Sequence, residues 1–160
     1  MRSMSITFED LLARDGSVVY KTRGVSMEPM IRQDRDLVTL RRPTSRLKKY
    51  DVILYRRGEK YVLHRIVGVC DDHYLVRGDN TFVLETVTDG DILGVLTGFK
   101  RKGRAISTEN RAYRLYARLW HAVYPLRLAC FRLRRPAGRF ARRFGLLPRT
   151  RREPGKGSPA

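Results

Sequence analysis

The stretch YDVILYRRGEKYVLHRIVGVC, residues 50–70, carries the strongest indication of the fold. Val, Ile, Leu and Tyr fill two short runs, and the polar segment RRGEK separates them. Because such runs are typical of strands and a glycine-containing link of this length is typical of a hairpin, the stretch predicts two antiparallel strands that meet near residues 56–60. The segment CDDH, residues 70–73, predicts a second hairpin turn directly afterwards. His64 is therefore expected to lie within a strand.

Further runs of the same kind occur on both sides of this hairpin. They are SVVYKTRG, DLVTL, HYLVRGD and DILGVLTGFKR. Before them, ITFEDLLARDG has the apolar spacing of a short amphipathic helix that stops at Gly16. The sequence thus predicts a mainly β domain of antiparallel strands over residues 1–106, with a short N-terminal helix.

Charge divides the chain into two parts. The 160 residues include 34 Lys and Arg against 16 Asp and Glu, a net charge of +18. From Lys100 to Ala160 there are 18 basic residues and 2 acidic ones, so the preceding part is close to neutral. A near-neutral body joined to a basic extension is the organisation this distribution favours.

The extension predicts a basic helical segment over residues 107–147 and a disordered tail over residues 148–160. Ser107 is expected to cap the helix, and Pro125 to kink or end its first part. Arg111, Arg114 and Arg118 should share one face with His121, because they recur at helical spacing. The apolar residues are expected mostly on the opposite face: Leu115, Tyr116, Leu119, Trp120 and Val123.

Several classes of protein are disfavoured by what the sequence lacks. The N-terminal residues do not reach the roughly 7 to 15 apolar residues of a secretory signal. No window approaches the roughly 18 uninterrupted apolar residues of a membrane span. Cys70 and Cys130 have neither the spacing of a disulfide framework nor that of a thiol metal site. We therefore expect no cofactor and no metal.

Ser26 and His64 are the candidates for hydrolytic chemistry. Ser26 stands in TRGVSMEPMI, residues 22–31, where a serine is either a helix N-cap or a nucleophile. A serine nucleophile needs a base, and His64 interrupts an apolar run, where an imidazole is either a structural hydrogen-bonding group or a proton acceptor. Asp79, in the turn RGDN, and Glu85 are acids able to orient that ring.

The order of these segments resembles the type I signal peptidase family. The matching positions are Ser26-Met27, Asp51-Val52, His64-Arg65 and Gly78-Asp79-Asn80, and the resemblance extends from about Gly24 to Leu96. It is similar in particular to the endoplasmic-reticulum and sporulation-associated branch, whose general base is His rather than Lys. Glu85 stands where that branch usually has Asp, and the family's N-terminal membrane span is not expected here.

The resemblance implies a serine endopeptidase that cleaves a leader or precursor peptide. Ser26 would attack the scissile carbonyl, and His64 would accept its proton and return it to the leaving amine. Glu85 is favoured for orienting His64, with Asp79 shaping the loop, although the opposite assignment stays open. Met27 would form an apolar wall for an extended peptide, with core packing as its alternative role. Arg65 is expected to face solvent.

The implied fold is a coiled antiparallel β domain of the signal-peptidase type, which self-cleaving repressors share. A repressor is disfavoured because neither a Lys base nor an N-terminal DNA-binding helix pair is evident. The other alternative is a non-catalytic module that keeps this fold and binds membrane or nucleic acid.

The basic extension is expected to contact a membrane surface. An Arg-rich amphipathic helix fits an anionic bilayer, nucleic-acid phosphates or packing on the domain, and the bilayer is favoured because no nucleic-acid-binding motif accompanies it. The helix or a membrane-anchored partner subunit would then supply the contact that the family's span provides. We expect peripheral association with a membrane at its cytoplasmic face.

Overall fold

The computed structural model describes the backbone of residues 7–143 and the side chains of residues 7–133. The elements, in chain order, are α1 (Phe8–Asp15), β1 (Ser17–Lys21), β2 (Leu37–Arg41), β3 (Val52–Arg57), β4 (Lys60–Val69), β5 (Tyr74–Arg77), β6 (Glu85–Val87), a 3-10 turn (Asp89–Asp91), β7 (Ile92–Arg101), β8 (Arg104–Ser107), α2 (Arg111–Ala122) and α3 (Tyr124–Arg143). The prediction of a mainly antiparallel β structure with a short N-terminal helix and C-terminal helices is confirmed.

The strands form one antiparallel sheet in the described part of the chain. Their order is β1-β2-β7-β3-β4-β5-β6, and β8 pairs with the end of β7. Both predicted hairpins are present: Arg57 pairs with Lys60 at the first turn, and Val69 pairs with Tyr74 at the second. The strands β6 and β8 were not predicted, because each is too short to show an alternating pattern.

The central strand β3 is buried on both of its faces. Val52 and Leu54 belong to one hydrophobic cluster, whereas Ile53 and Tyr55 belong to a second one. Successive side chains of a strand point to opposite faces, so this division follows directly from the backbone. Register shifts in the β3–β7 and β4–β5 pairings mark bulges, which bend the strands and allow one sheet to enclose two clusters.

The N-terminal helix α1 ends at the glycine that the sequence predicts as its stop. Thr7 and Asp10 form a capping box, in which the Asp10 N–H donates to the Thr7 hydroxyl at 3.2 Å. Gly16 ends the helix in the left-handed region, with φ of 67°, where glycine is favoured. Leu12 is buried in the first cluster and fastens the helix to the sheet.

The first C-terminal helix begins later than predicted. Ser107 ends β8, where it pairs with Gly98, and is therefore not the cap. Asn110 has that role, since its side-chain oxygen accepts a hydrogen bond from the Ala112 N–H at 2.8 Å. The helix stops at Ala122, before the proline at position 125, as expected.

The chain divides into two compact units, residues 1–122 and residues 123–160. The first unit includes α2 and so extends past the boundary predicted at residue 106. The second unit contains α3, and the tail predicted over residues 148–160 lies outside the described residues. None of the described helices combines the length and apolar composition that crossing a bilayer requires.

The two faces of α2 differ from the predicted ones. Tyr113 and Ala117 are buried, whereas Leu115 and Leu119 are exposed on the same side as the arginines. The prediction failed because a rotation of about 100° per residue places Leu115 beside Arg118 rather than opposite it. His121 lies seven residues after Arg114 and so at the edge of the arginine face, where its ring packs edge-on against Tyr50 with the ring centroids 5.6 Å apart.

Candidate active site

Ser26 lies in the loop between β1 and β2. The residues around it form turns, and no α-helix follows, so the N-cap interpretation of this serine is wrong. The Ile31 N–H donates to the Met27 carbonyl at 3.0 Å and keeps the loop compact. Among the described residues, neither the hydroxyl nor the backbone N–H of Ser26 makes a hydrogen bond. Both groups are therefore without a hydrogen-bond partner within these residues.

Ser26 and His64 both lie next to Gly78. A Cβ atom placed on Gly78 would lie 3.0 Å from the Ser26 Cβ and 3.0 Å from the His64 Nε2. The distance between the Ser26 Cβ and the His64 Nε2 is therefore at most 6.0 Å, twice the 3.0 Å that separates each of them from that Cβ position. No hydrogen bond joins the two side chains within the described residues, and such bonds often tighten only when substrate is present.

The turn that contains Gly78 also holds the serine loop. The Asn80 N–H donates to the Ser26 carbonyl at 2.7 Å, and the Asn80 side-chain amide donates to the Val25 carbonyl at 3.3 Å. A side chain at Gly78 would lie only 2.7 Å from that Ser26 carbonyl oxygen. Glycine is therefore required here because two backbone segments approach closely.

On its other side, the His64 ring is linked to an acid through a tyrosine. The Tyr55 hydroxyl lies 3.1 Å from His64 Nδ1 and donates to Glu85 Oε2 at 2.8 Å. Glu85 Oε1 itself lies 3.6 Å from Nδ1 and accepts a hydrogen bond from Arg57 at 2.9 Å. The structure therefore brings Glu85 to His64 mainly through Tyr55, a residue that the sequence analysis missed.

Burial controls the protonation of this group of side chains. It is the largest cause that lowers the pKa of His64 below its ordinary value of 6.5, and the negative charge of Glu85 opposes it only in part. Burial likewise raises the pKa of Tyr55, assisted by its hydrogen bond to Glu85. At neutral pH the imidazole is thus neutral, and the phenol keeps its proton.

Asp79 pairs with Arg65 instead of approaching the imidazole. Two parallel hydrogen bonds of 2.8 Å join the guanidinium to the carboxylate, and both side chains are almost completely buried. Burial disfavours the charge on Arg65, but the hydrogen bonds and charge of Asp79 outweigh it and raise the pKa of Arg65 above its usual range. The expectation that Arg65 faces solvent is wrong, because a buried acid from another segment compensates its charge.

The candidate residues line one open cleft of about 920 Å³. Ser26, His64, Glu85 and Met27 all contribute to its wall, whereas Asp79 does not. Met27 is almost completely buried in the first hydrophobic cluster, as its core-packing interpretation expects, and its contact with a peptide stays a prediction. No group of residues suited to hold a metal ion occurs in the part of the chain with described side chains.

Comparison with known proteins gives no further indication: neither a protein family nor a curated protein matches this chain.

The pairing of the β3–β4 hairpin places Tyr55 next to His64. The hairpin turn fixes the pairing of Arg57 with Lys60, and Tyr55 therefore pairs with Val62. His64 lies two residues beyond Val62, so Tyr55 and His64 are diagonal neighbours on one face of the hairpin. The pairing of Arg65 with Asp79 has no comparable local signal.

Replacing Gly78 by alanine tests the close approach of the two segments. We expect Gly78→Ala to lower the free energy of unfolding by about 1 to 3 kcal/mol, because the added methyl group overlaps the Ser26 carbonyl. Gly90→Ala is the matched control, since a Cβ there has no neighbour closer than 3.9 Å. Urea unfolding of the two variants makes the measurement, and equal stability would contradict the described approach.

Proposed function

We propose that this protein is a serine endopeptidase of the signal-peptidase-like type, which cleaves a leader or precursor peptide with Ser26 as nucleophile and His64 as base. The observation that carries the proposal is the approach of the Ser26 Cβ and His64 Nε2 beside Gly78, since both of these side chains line an open cleft. The order of the motifs around these residues supports the same activity.

Each half of the reaction, formation of the acyl-enzyme with cleavage of the peptide C–N bond and its hydrolysis by water, needs two proton transfers through His64. Ser26 Oγ attacks the scissile carbonyl carbon while its proton moves to Nε2, and the carbonyl oxygen becomes an oxyanion. The Ser26 N–H, which has no hydrogen-bond partner in the described residues, is suited to donate to that oxyanion. The proton on Nε2 then passes to the leaving amine, and water subsequently releases the acyl group by the same route.

Tyr55 sets the tautomer of His64 in this scheme. Because the Tyr55 hydroxyl donates its proton to Glu85, its oxygen is left to accept the proton on Nδ1. Nε2 then carries the lone pair and faces the serine. Tyr55 is thus a positioning residue, and Glu85 acts through it while its charge favours the imidazolium formed during attack.

The substrate would bind in an extended conformation. The strand β1 lies at the edge of the described sheet, and residues 20–24 line the cleft just before Ser26. An extended peptide beside this edge would gain backbone hydrogen bonds and present alternate side chains to the cleft. Met27, Leu63 and Val83 supply apolar surface for those side chains.

Removal of either proposed catalytic side chain tests the activity directly. We expect Ser26→Ala and His64→Ala each to lower kcat/KM for leader-peptide cleavage by at least about a thousandfold, because attack loses its nucleophile or its base. Ser45→Ala and His73→Ala are matched controls on the same unit and should cleave normally. Unchanged turnover in either catalytic variant, with no labelling of Ser26 by a fluorophosphonate, would instead favour a binding module.

The pH dependence of cleavage tests the role of His64. We expect kcat/KM to rise with pH as the imidazole loses its proton, with a midpoint below 6.5, since burial lowers the pKa of His64. The unfolded chain binds that proton more readily, so the same shift lowers folding stability as the pH falls below 6.5. A rise centred above about 8 would indicate a lysine base and contradict the assignment.

The Tyr55→Phe variant distinguishes a role of Tyr55 in orienting His64 from a role in substrate binding. The change leaves His64 Nδ1 without its 3.1 Å partner, so we expect kcat to fall by about tenfold, as for one lost hydrogen bond. KM should stay nearly constant, because Tyr55 is absent from the residues that line the cleft. Tyr74→Phe, at another buried tyrosine, controls for loss of a buried hydroxyl and should preserve kcat. A rise in KM at unchanged kcat would contradict the positioning role.

A further inference from the structure

The outward side of α2 combines positive charge with exposed apolar surface. We define the α2 outer face as the five exposed residues Arg111, Arg114, Leu115, Arg118 and Leu119. Leu115 and Leu119 are 57% and 56% exposed. The helix contains no acidic residue that would neutralise the three arginines. The face is therefore both cationic and apolar.

We propose that the α2 outer face is a docking surface for an anionic lipid bilayer. The three guanidinium groups are complementary to lipid phosphates, and the two leucines lie beside the row of arginines on the same side of the helix, where they would enter the boundary between headgroups and acyl chains. A nucleic acid would satisfy the arginines but leave both leucines in water, since its outer surface is a phosphate backbone. Charge and apolar exposure together select the bilayer.

The opposite side of α2 is held by the domain, which keeps the outer face exposed. The Trp120 indole donates to the Asp79 carbonyl at 2.9 Å, and Arg65 donates to the Tyr113 hydroxyl at 3.2 Å. Tyr113 and Ala117 are buried in this contact. Because the helix is already folded and oriented, docking carries no cost for ordering it, unlike the binding of a segment that must fold first.

These contacts also relate the docking surface to the cleft. Asp79 lies between Gly78, which adjoins Ser26 and His64, and Asn80, which holds the serine loop. A docked α2 would thus hold the cleft in one orientation relative to the bilayer. The docking itself requires no step of the proposed peptidase reaction, so its test is independent of that activity.

The test measures partition of the full-length Ser26→Ala protein into phosphatidylcholine vesicles with and without phosphatidylglycerol. The charge variant is Arg111→Gln, Arg114→Gln and Arg118→Gln together, and its matched control removes three exposed arginines elsewhere, Arg32→Gln, Arg42→Gln and Arg104→Gln. The apolar variant is Leu115→Gln with Leu119→Gln. Thermal unfolding confirms that each variant is folded.

We expect the charge variant to lower partition into anionic vesicles by at least about tenfold relative to its matched control, and raised salt to reduce the difference. The apolar variant should lower vesicle binding several-fold and leave binding to a DNA duplex unchanged. The proposal is overturned if the charge variant and its control bind vesicles equally. It is also overturned if the leucine changes have no effect on vesicle binding, because the face would then serve only as a polyanion site.

Discussion

The buried ion pair between Arg65 and Asp79 is the interaction on which the arrangement of the site depends. All five N–H donors of the guanidinium have an acceptor, and these acceptors belong to Asp79, Tyr50, Tyr113 and Met30. They come from four separate parts of the chain. Removing one partner of such a pair typically costs about 3 to 5 kcal/mol, because the other charge stays buried without compensation. The pair therefore specifies one relative placement of these segments.

The same strand that carries the ion pair also carries the proposed base. His64 and Arg65 are adjacent in β4, so their side chains leave on opposite faces of the sheet. Arg65 joins the Asp79 turn and α2, whereas His64 faces the cleft and Tyr55. Any shift of β4 by one residue would exchange the two faces, placing a guanidinium in the cleft and an imidazole beside Asp79. The geometry of the candidate site and the fold thus depend on the same register of β4.

Much of the sheet, but only part of the site, followed from the sequence. Hairpins and alternating runs are local signals, so β3, β4 and β5 were predicted from residues close together in the chain. The approach of Ser26 to His64 was proposed from motif order, and the structure brings both to one cleft. The start of α2 at Arg111 follows from the short hairpin between β7 and β8, in which Ser107 pairs with Gly98, but neither β8 nor the cap at Asn110 was predicted. The burial of Arg65 depends instead on Asp79, which belongs to another segment of the chain, and a local sequence pattern does not indicate such a partner.

The placement of α2 changes how the basic extension is understood. Charge alone separates residues 1–99 from the remainder, yet α2 belongs to the first compact unit and covers the Arg65–Asp79 pair with Tyr113. A chain cut at the predicted boundary of residue 106 would expose that pair to water, which weakens the attraction between the two charges and leaves the Asp79 turn without the Trp120 hydrogen bond. Because the Asn80 N–H of this turn donates to the Ser26 carbonyl, losing the Trp120 hydrogen bond would also weaken the placement of the proposed nucleophile. The helix that presents the arginines to the outside therefore also completes the interior of the site.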